Sequence, residues 1–293
     1  MTILNKMHIS QKECIKDMLR SYLRSKITKT SLEFSHLNMA VFCRDPITQE
    51  IQESGFFEHQ ELSLIFSALQ ISNKINGIAL DIGANIGNHS LFFDQFFEGV
   101  YAFEPHPLTF QLLKINSLLG KNISVENVGL SDKKEDAIIY NEPYSLGGSS
   151  IHPIGAIHAL QSHRIALEKL DEMKHLWNKK IHLIKIDVEG HELQVLKGGA
   201  GLIKKNMPII MFEQHLRDFT PNGNKVLDMI KLFGYSRFAT INKRFVTGAE
   251  LDAIDSKFIR RLAVALFGYK VSLDITSDFK PKTYPVIIAL PPD

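Results

Sequence analysis

Five short apolar runs constrain this chain more than any other feature. They lie at residues 78–82, 100–103, 123–128, 183–186 and 209–212, and each is four to six residues long. Runs of that length, rich in Val, Ile or Phe, suit strands buried on both faces. Helical patterns separate them. One carries Leu91, Phe92, Gln95 and Phe96; the next carries Phe110, Leu113 and Leu118. Residues 192–205 read as one helix with Leu193, Leu196, Leu202 and Ile203, closed by Lys204 and Lys205, which favour a helix C-terminus. Val226, Met229, Ile230 and Phe233 form another, stopped by Gly234. A helix with Leu62, Ile65, Phe66 and Leu69 precedes the first run, and residues 286–290 close the series as a last strand. Strands alternating with helices predict right-handed βαβ units and a parallel sheet.

Three segments fall outside this rhythm. Residues 141–164 hold Pro143, Gly147, Gly148, Ser149, Ser150 and Pro153 without periodicity and read as a long loop, a candidate lid. His152, His158 and His163, in or beside it, are too scattered for a metal site. Residues 247–280 open on the capping box Thr247 and Glu250, then predict a helix with Leu251, Ile254, Phe258, Leu262 and Leu266 and a strand over 271–275. At the start, Ser10 and Glu13 cap a basic amphipathic helix over residues 11–27, while 31–57 look irregular. Lys6, Lys12, Lys16, Arg20, Arg24, Lys26 and Lys29 oppose only Glu13 and Asp17, giving +5 in the first 30 residues of a chain whose net charge is +2. The helix at 11–27 has three readings: docking on the body, peripheral membrane contact, or a homodimer seam.

With 44% hydrophobic and 23% charged residues the chain is an ordinary globular one. Beyond residue 30 the net charge is negative, so no nucleic-acid partner is expected. No run approaches the roughly 18 apolar residues of a membrane span, and no secretory signal is visible. Cys14 and Cys43 give neither a disulfide framework nor metal-ligand spacing. A reducing, cytoplasmic location is the expectation.

Chemistry enters at the turn after the first run, Asp81-Ile82-Gly83-Ala84-Asn85-Ile86-Gly87. Glycines there allow a tight turn and close approach of a ligand to backbone. The spacing Gly83-x-Asn85-x-Gly87 is not the G-x-G-x-x-G that seats a pyrophosphate, and Asp81, read as standing at the mouth, would repel an anion. A cationic ligand without phosphate, such as S-adenosylmethionine, fits better. Glu104 ends the second run, where a carboxylate accepts ribose hydroxyls. The third runs into Gly129-Leu130-Ser131-Asp132, placed to meet an adenine edge.

These motifs resemble the FkbM family of S-adenosylmethionine-dependent methyltransferases. Residues 81–87, Tyr101-Ala102-Phe103-Glu104-Pro105, Val128-Gly129-Leu130-Ser131-Asp132 and Ile184-Lys185-Ile186-Asp187-Val188-Glu189-Gly190 are similar to its motifs in order, and Glu192, Leu196 and Gly198 follow as in the family. The resemblance covers about residues 58–241 and the final strand. It implies an α/β, Rossmann-like class I methyltransferase fold: a seven-stranded, mostly parallel sheet with helices on both faces and the last strand antiparallel. It divides the chain into an N-terminal helical extension, 1–57, and a methyltransferase domain, 58–293, carrying 247–280 as an insert. It implies O-methylation of a hydroxyl on a sugar, glycolipid or other natural product, with a small-molecule, glycan or lipid-linked acceptor. Gly83, Asn85, Gly87 and Glu104 would hold the cofactor beside Asp81 and Asp187, with Ser131 and Asp132 near the adenine. Leu167-Glu168 stands where the family has Leu-Asp. The competing reading is a catalytically silent module that binds a partner through the basic helix.

Ligands in open α/β sheets bind beyond the carboxyl ends of the strands. Asp187 and Glu189 fall there after the fourth run and Glu213 after the fifth, with His191 and His215 close behind. Asp187 is assigned to organise the methionine end or the acceptor, and His191 or His215 to take the hydroxyl proton. Glu189 also reads as a carboxylate favouring a helix N-terminus. Asp187 and Glu213 suit a hard divalent ion, though no dedicated ligand cluster is visible. Lys185 reads as a strand-end residue whose head reaches water.

Overall fold

The computed structural model describes residues 38–43, 47, 48, 50, 51, 55–69, 75–142, 145–151, 161–221, 223–245, 259, 266 and 268–292. The expected helices at 11–27 and 251–266 lie outside the described residues, save Ile259 and Leu266.

Every apolar run is a strand. β1 is Ile75–Ile82, β2 Phe97–Phe103, β3 Ile123–Glu126, β8 Ile181–Ile186 and β9 Ile209–Gln214. Between β3 and β8 come β4 Gly129–Leu130, β5 Glu135–Glu142, β6 Ser145–Ser150 and β7 Gln161–Glu168. The chain ends in β10 Arg237–Phe245, β11 Tyr269–Thr276 and β12 Tyr284–Leu290. The central sheet runs in the order β3-β2-β1-β8-β9-β12-β10-β11. Its first five strands are mutually parallel, and β12 is antiparallel to both β9 and β10. The seven expected strands are present with the last one reversed. The correction is an eighth: β11, from the segment 247–280, pairs antiparallel with β10 along its length and so continues the sheet.

Side chains alternate across the sheet and feed two cores. Leu80, Ile82, Ile184, Ile186, Ile210 and Phe212 face one side, where α4 (Glu192–Gly198), α5 (Ala200–Asn206) and α6 (Lys225–Leu232) bring Leu196, Leu202 and Ile230. Ala79, Leu183, Met211 and Ile288 face the other, under α1 (His59–Ala68) and α2 (Asn88–Phe93). Burying one such Leu, Ile or Phe stabilises by roughly 1.5–3 kcal/mol. The helix α3 (Pro107–Ser117) starts on a proline at its first turn, with His106 Nδ1 accepting from Thr109 N at 3.3 Å.

Two further expectations need correction. The stretch 192–205 is two helices, broken at Gly199. Asp171, distant in sequence, accepts from Gly201 N and Leu202 N, both at 2.8 Å, and so caps a new helix start. The segment 141–164 is not a plain loop. β5 pairs antiparallel with β7 from Glu135↔Leu167 to Asn141↔Gln161, and a four-stranded sheet β4-β7-β5-β6 results. Ile139, Ile165 and Leu167 give it a small core of its own. Its Gly-Gly-Ser-Ser strand has no apolar alternation to reveal it.

The described part of the N-terminal segment is pinned beside the glycine turn. Asn116 Nδ2 donates to Ala40 O at 2.9 Å and Ile86 O at 2.7 Å, and Ala40 N donates back to Asn116 Oδ1 at 2.7 Å. Phe57 N and O bond the Asn88 amide at 2.9 and 3.1 Å. No helix among the described residues is long and apolar enough to cross a membrane.

Candidate active site

The turn after β1 holds three residues in left-handed backbone: Gly83 (φ 75°), Asn85 (φ 51°) and Gly87 (φ 89°). Gly83 is glycine for a reason inside the fold. A Cβ there would lie 1.8 Å from the Asp187 carbonyl oxygen, so the two turns touch backbone to backbone. At Gly87 a Cβ would meet Leu113 Cδ1 at 2.8 Å. From the next strand, Glu104 is clamped by two backbone donors, Asn85 N to Oε2 at 2.9 Å and His106 N to Oε1 at 2.8 Å. Burial raises its carboxyl to about 7 against the pull of those donors. A carboxylate has more lone pairs than two donors use, and Glu104 turns this remaining capacity into the cleft it lines.

Asp81 is not at the mouth of the turn. It is fully buried, takes the Ser90 hydroxyl on Oδ2 at 2.5 Å, and stands 3.3 Å from Lys185 Nζ. Lys185 does not reach water either. Its ammonium donates to Gly83 O at 2.9 Å and lies 3.3 Å from Asp187 Oδ2. Burial works against that charge, but Asp187 and Asp81 outweigh it and hold Lys185 above the ordinary lysine range. Asp81 therefore faces Ser90 and Lys185 rather than the cleft.

One cleft runs along these elements. Phe103, Val128 and the β4 residues Gly129 and Leu130 form one wall, and Ile139 of β5, Leu167 of β7 and Ile151 form the other. Its polar groups are Glu104 and, at one end, Asp187, Glu189 and His191; among the described residues no Lys or Arg lines it. His191 is buried, with Nε2 2.9 Å from Ser131 Oγ. Gly198 lets α4 approach that turn, since a Cβ would sit 1.9 Å from Ser131 O. Ser131 and Asp132 stand behind the wall made by Gly129 and Leu130 rather than in it.

A second cavity of about 320 Å³ adjoins the first and shares Asn85, Asp187 and Glu189 with it. Ile47, Phe57, Glu58 and Leu62 enclose it from the N-terminal side, and Ile241, Lys243 and Val286 from β10 and β12. Glu213, from β9, faces it. Burial, then the negative charges of Asp187 and Glu189, push Glu213 up to about 8. His215 bridges two of these acids, with Nδ1 3.5 Å from Glu213 Oε1 and Nε2 3.7 Å from Glu189 Oε2.

Of the two readings of Glu189, ligand-end carboxylate and helix N-terminus carboxylate, the first matches its place beside the cavities. Glu189 is left-handed at φ 53°, ahead of Gly190 at φ 99°, and α4 starts only at Glu192. The Glu-Gly pair is the signal: a turn, not a helix start, follows β8, and it swings the carboxylate into the wall between the cavities. Asp187, Glu189 and Glu213 each bring an oxygen within 4.8 Å of the others. Asp187 and Glu213, the two residues suited to a hard ion, thus stand together with Glu189, while Lys185 lies 3.3 Å from Asp187 and His215 3.5 and 3.7 Å from Glu213 and Glu189. In the sequence Lys185 reads as reaching water, and Glu58 and Lys243 are not singled out because nothing in their local pattern marks them.

Residues 81–237 match the methyltransferase FkbM domain family. The chain is 31% identical over 153 residues to the hexuronic acid methyltransferase AglP of Haloferax volcanii, a match covering 52% of this chain and 62% of that protein. Among solved structures, the methyltransferase FkbM of Methylobacillus flagellatus is 17% identical, with 68% of this chain and 49% of that one covered and a TM-score of 0.36. The precorrin-6y C5,15-methyltransferase of Geobacter metallireducens is 10% identical, with 80% and 89% covered and a TM-score of 0.40.

Proposed function

Since the chain belongs to the FkbM methyltransferase family, we propose that it transfers a methyl group from S-adenosylmethionine to a hydroxyl of a sugar or sugar-containing acceptor. The observation that carries this reading is the charge of the first cleft. It presents Glu104, Asp187 and Glu189 and, among the described residues, no Lys or Arg. A pyrophosphate cofactor would be repelled there, whereas a sulfonium and an ammonium are matched. Glu104 is the ribose partner, with spare lone pairs toward the cleft, and the apolar wall ending in Gly129 and Leu130 receives the adenine. Asp187 and Glu189 hold the cationic end.

When bound, S-adenosylmethionine supplies a methyl carbon on a sulfonium, so transfer breaks the carbon–sulfur bond and forms a carbon–oxygen bond. The protein's work is in-line positioning and proton removal. Asp187 stands in both cavities and fixes the line between them. The hydroxyl proton passes to the Glu213–His215 pair, and His191 supports the cofactor wall through Ser131. The acceptor cavity has the size of a small-ligand site. The alternative of a silent module is disfavoured by the intact clamp on Glu104.

The test is calorimetry with S-adenosylhomocysteine, then labelled S-adenosylmethionine with a panel of sugars and lipid-linked glycans. Binding with transfer to a sugar hydroxyl is expected. Binding with no transfer across the panel favours the silent module, and NAD binding without S-adenosylhomocysteine binding overturns the cofactor assignment.

A further inference from the structure

Among the described residues the second cavity is lined by more acids than cations. Glu58, Glu61, Asp187, Glu189 and Glu213 stand against two lysines, both already engaged. Lys243 pairs with Glu61, and Lys185 is divided between Asp187 and the buried Asp81. His89 Nε2 lies 3.4 Å from Glu58. The bound cofactor adds one net positive charge, at the Asp187 and Glu189 end. Glu213 and Glu58 remain, on walls contributed by β9 and by the residue before α1.

We propose that the acceptor carries a protonated amine close to the hydroxyl that is methylated, as in an amino sugar, and that a uronic acid is disfavoured. The inference rests on the methyltransferase reading above. An ammonium between Glu213 and Glu58 faces the Glu58 carboxylate and favours the ionised form of Glu213, inside a partly dry cavity where such contacts are strong. A carboxylate in the same place would meet acids on two sides. The raised carboxyl of Glu213, caused by burial and its acidic neighbours, reports the same crowding. Lys185 Nζ stands 3.3 Å from Asp187, and the ring nitrogens of His215 lie 3.7 Å from Glu189 and 3.5 Å from Glu213, so nitrogen groups already face this wall.

The experiment is calorimetry on the full chain saturated with S-adenosylhomocysteine, titrated with the methyl glycosides of glucosamine, N-acetylglucosamine, glucose and glucuronic acid, in EDTA and again in excess Mg²⁺. The glucosamine glycoside is expected to bind about tenfold more tightly than the N-acetyl and glucose forms, the glucuronide most weakly, and the preference should shrink as salt rises. In Glu58→Gln the preference for the amine should drop about threefold with cofactor affinity intact. Equal binding of the amine and its acetylated form overturns the inference, as does a glucuronide that matches the amine under either metal condition, or binding of none of the four. Failure to bind S-adenosylhomocysteine at all would instead defeat the methyltransferase reading.

Discussion

The two cavities share a wall but differ in where they come from. Each described residue lining the cofactor cleft lies within the stretch that matches the family, 81–237. The acceptor cavity takes Ile47, Phe57, Glu58 and Glu61 from before that stretch and Ile241, Lys243, Pro285 and Val286 from after it. The first is narrow and held in place by backbone contacts; the second is roomier, side-chain-lined and acidic. One half lies wholly inside the stretch that matches the family, and the other draws on segments outside it.

Breaking the shared wall should erase both halves together. Gly83→Val puts a branched side chain against the Asp187 carbonyl at a left-handed position. A stability loss of more than about 3 kcal/mol and loss of S-adenosylhomocysteine binding are expected in thermal unfolding with and without ligand. Full stability would disprove the backbone contact. Next, Glu213→Gln should slow transfer roughly 10²–10⁴-fold while sparing cofactor affinity. In the unaltered chain the rate should rise as pH passes about 8, where Glu213 sheds its proton, and the variant should lack that limb. Retention of the limb would move the base elsewhere.

Smaller effects sharpen the contrast. Glu104→Ala should weaken cofactor binding by about 1–3 kcal/mol and leave sugar preference alone. The sign of its pH dependence follows from the raised carboxyl. Folded Glu104 keeps its proton up to about 7 while the unfolded chain releases it near the ordinary carboxylate range, so this group's contribution to stability declines as pH rises between the two. The ionised form accepts the ribose hydroxyls, so cofactor affinity should strengthen as pH rises through about 7, in the unaltered chain alone. Smallest of all, Lys243→Met should change S-adenosylhomocysteine affinity less than about twofold while altering acceptor KM. A tenfold loss of cofactor affinity would mean that the halves are not separable.

The sheet was legible because its strands are continuous apolar runs between amphipathic helices, a pattern set by burial on both faces. The glycine turn and Glu104 were legible because backbone geometry and the strand ends dictate them. The reason given for Gly83 was not: space for a ligand was expected, and the Asp187 backbone occupies it. The hairpin sheet over the cleft escaped notice because Ser145–Ser150 pairs through backbone rather than through an apolar face. Lys185 was misread because a charge inside a strand looks like an end residue until its two carboxylates, one on its own strand's end and one 104 residues earlier, are brought to 3.3 Å. Glu58 and Lys243 carry no motif, and only folding sets them across one cavity.

The close approach of Gly83 to Asp187 also limits how the cleft can breathe. The two turns, in contact at backbone, are tied again by the Lys185 ammonium on Gly83 O. The opposite wall has a small core of Ile139, Ile165 and Leu167, and it is joined to the main body where β7 pairs with β4 and Leu130 enters the main core. The cleft is therefore fixed on one side by backbone contact and on the other by strand pairing.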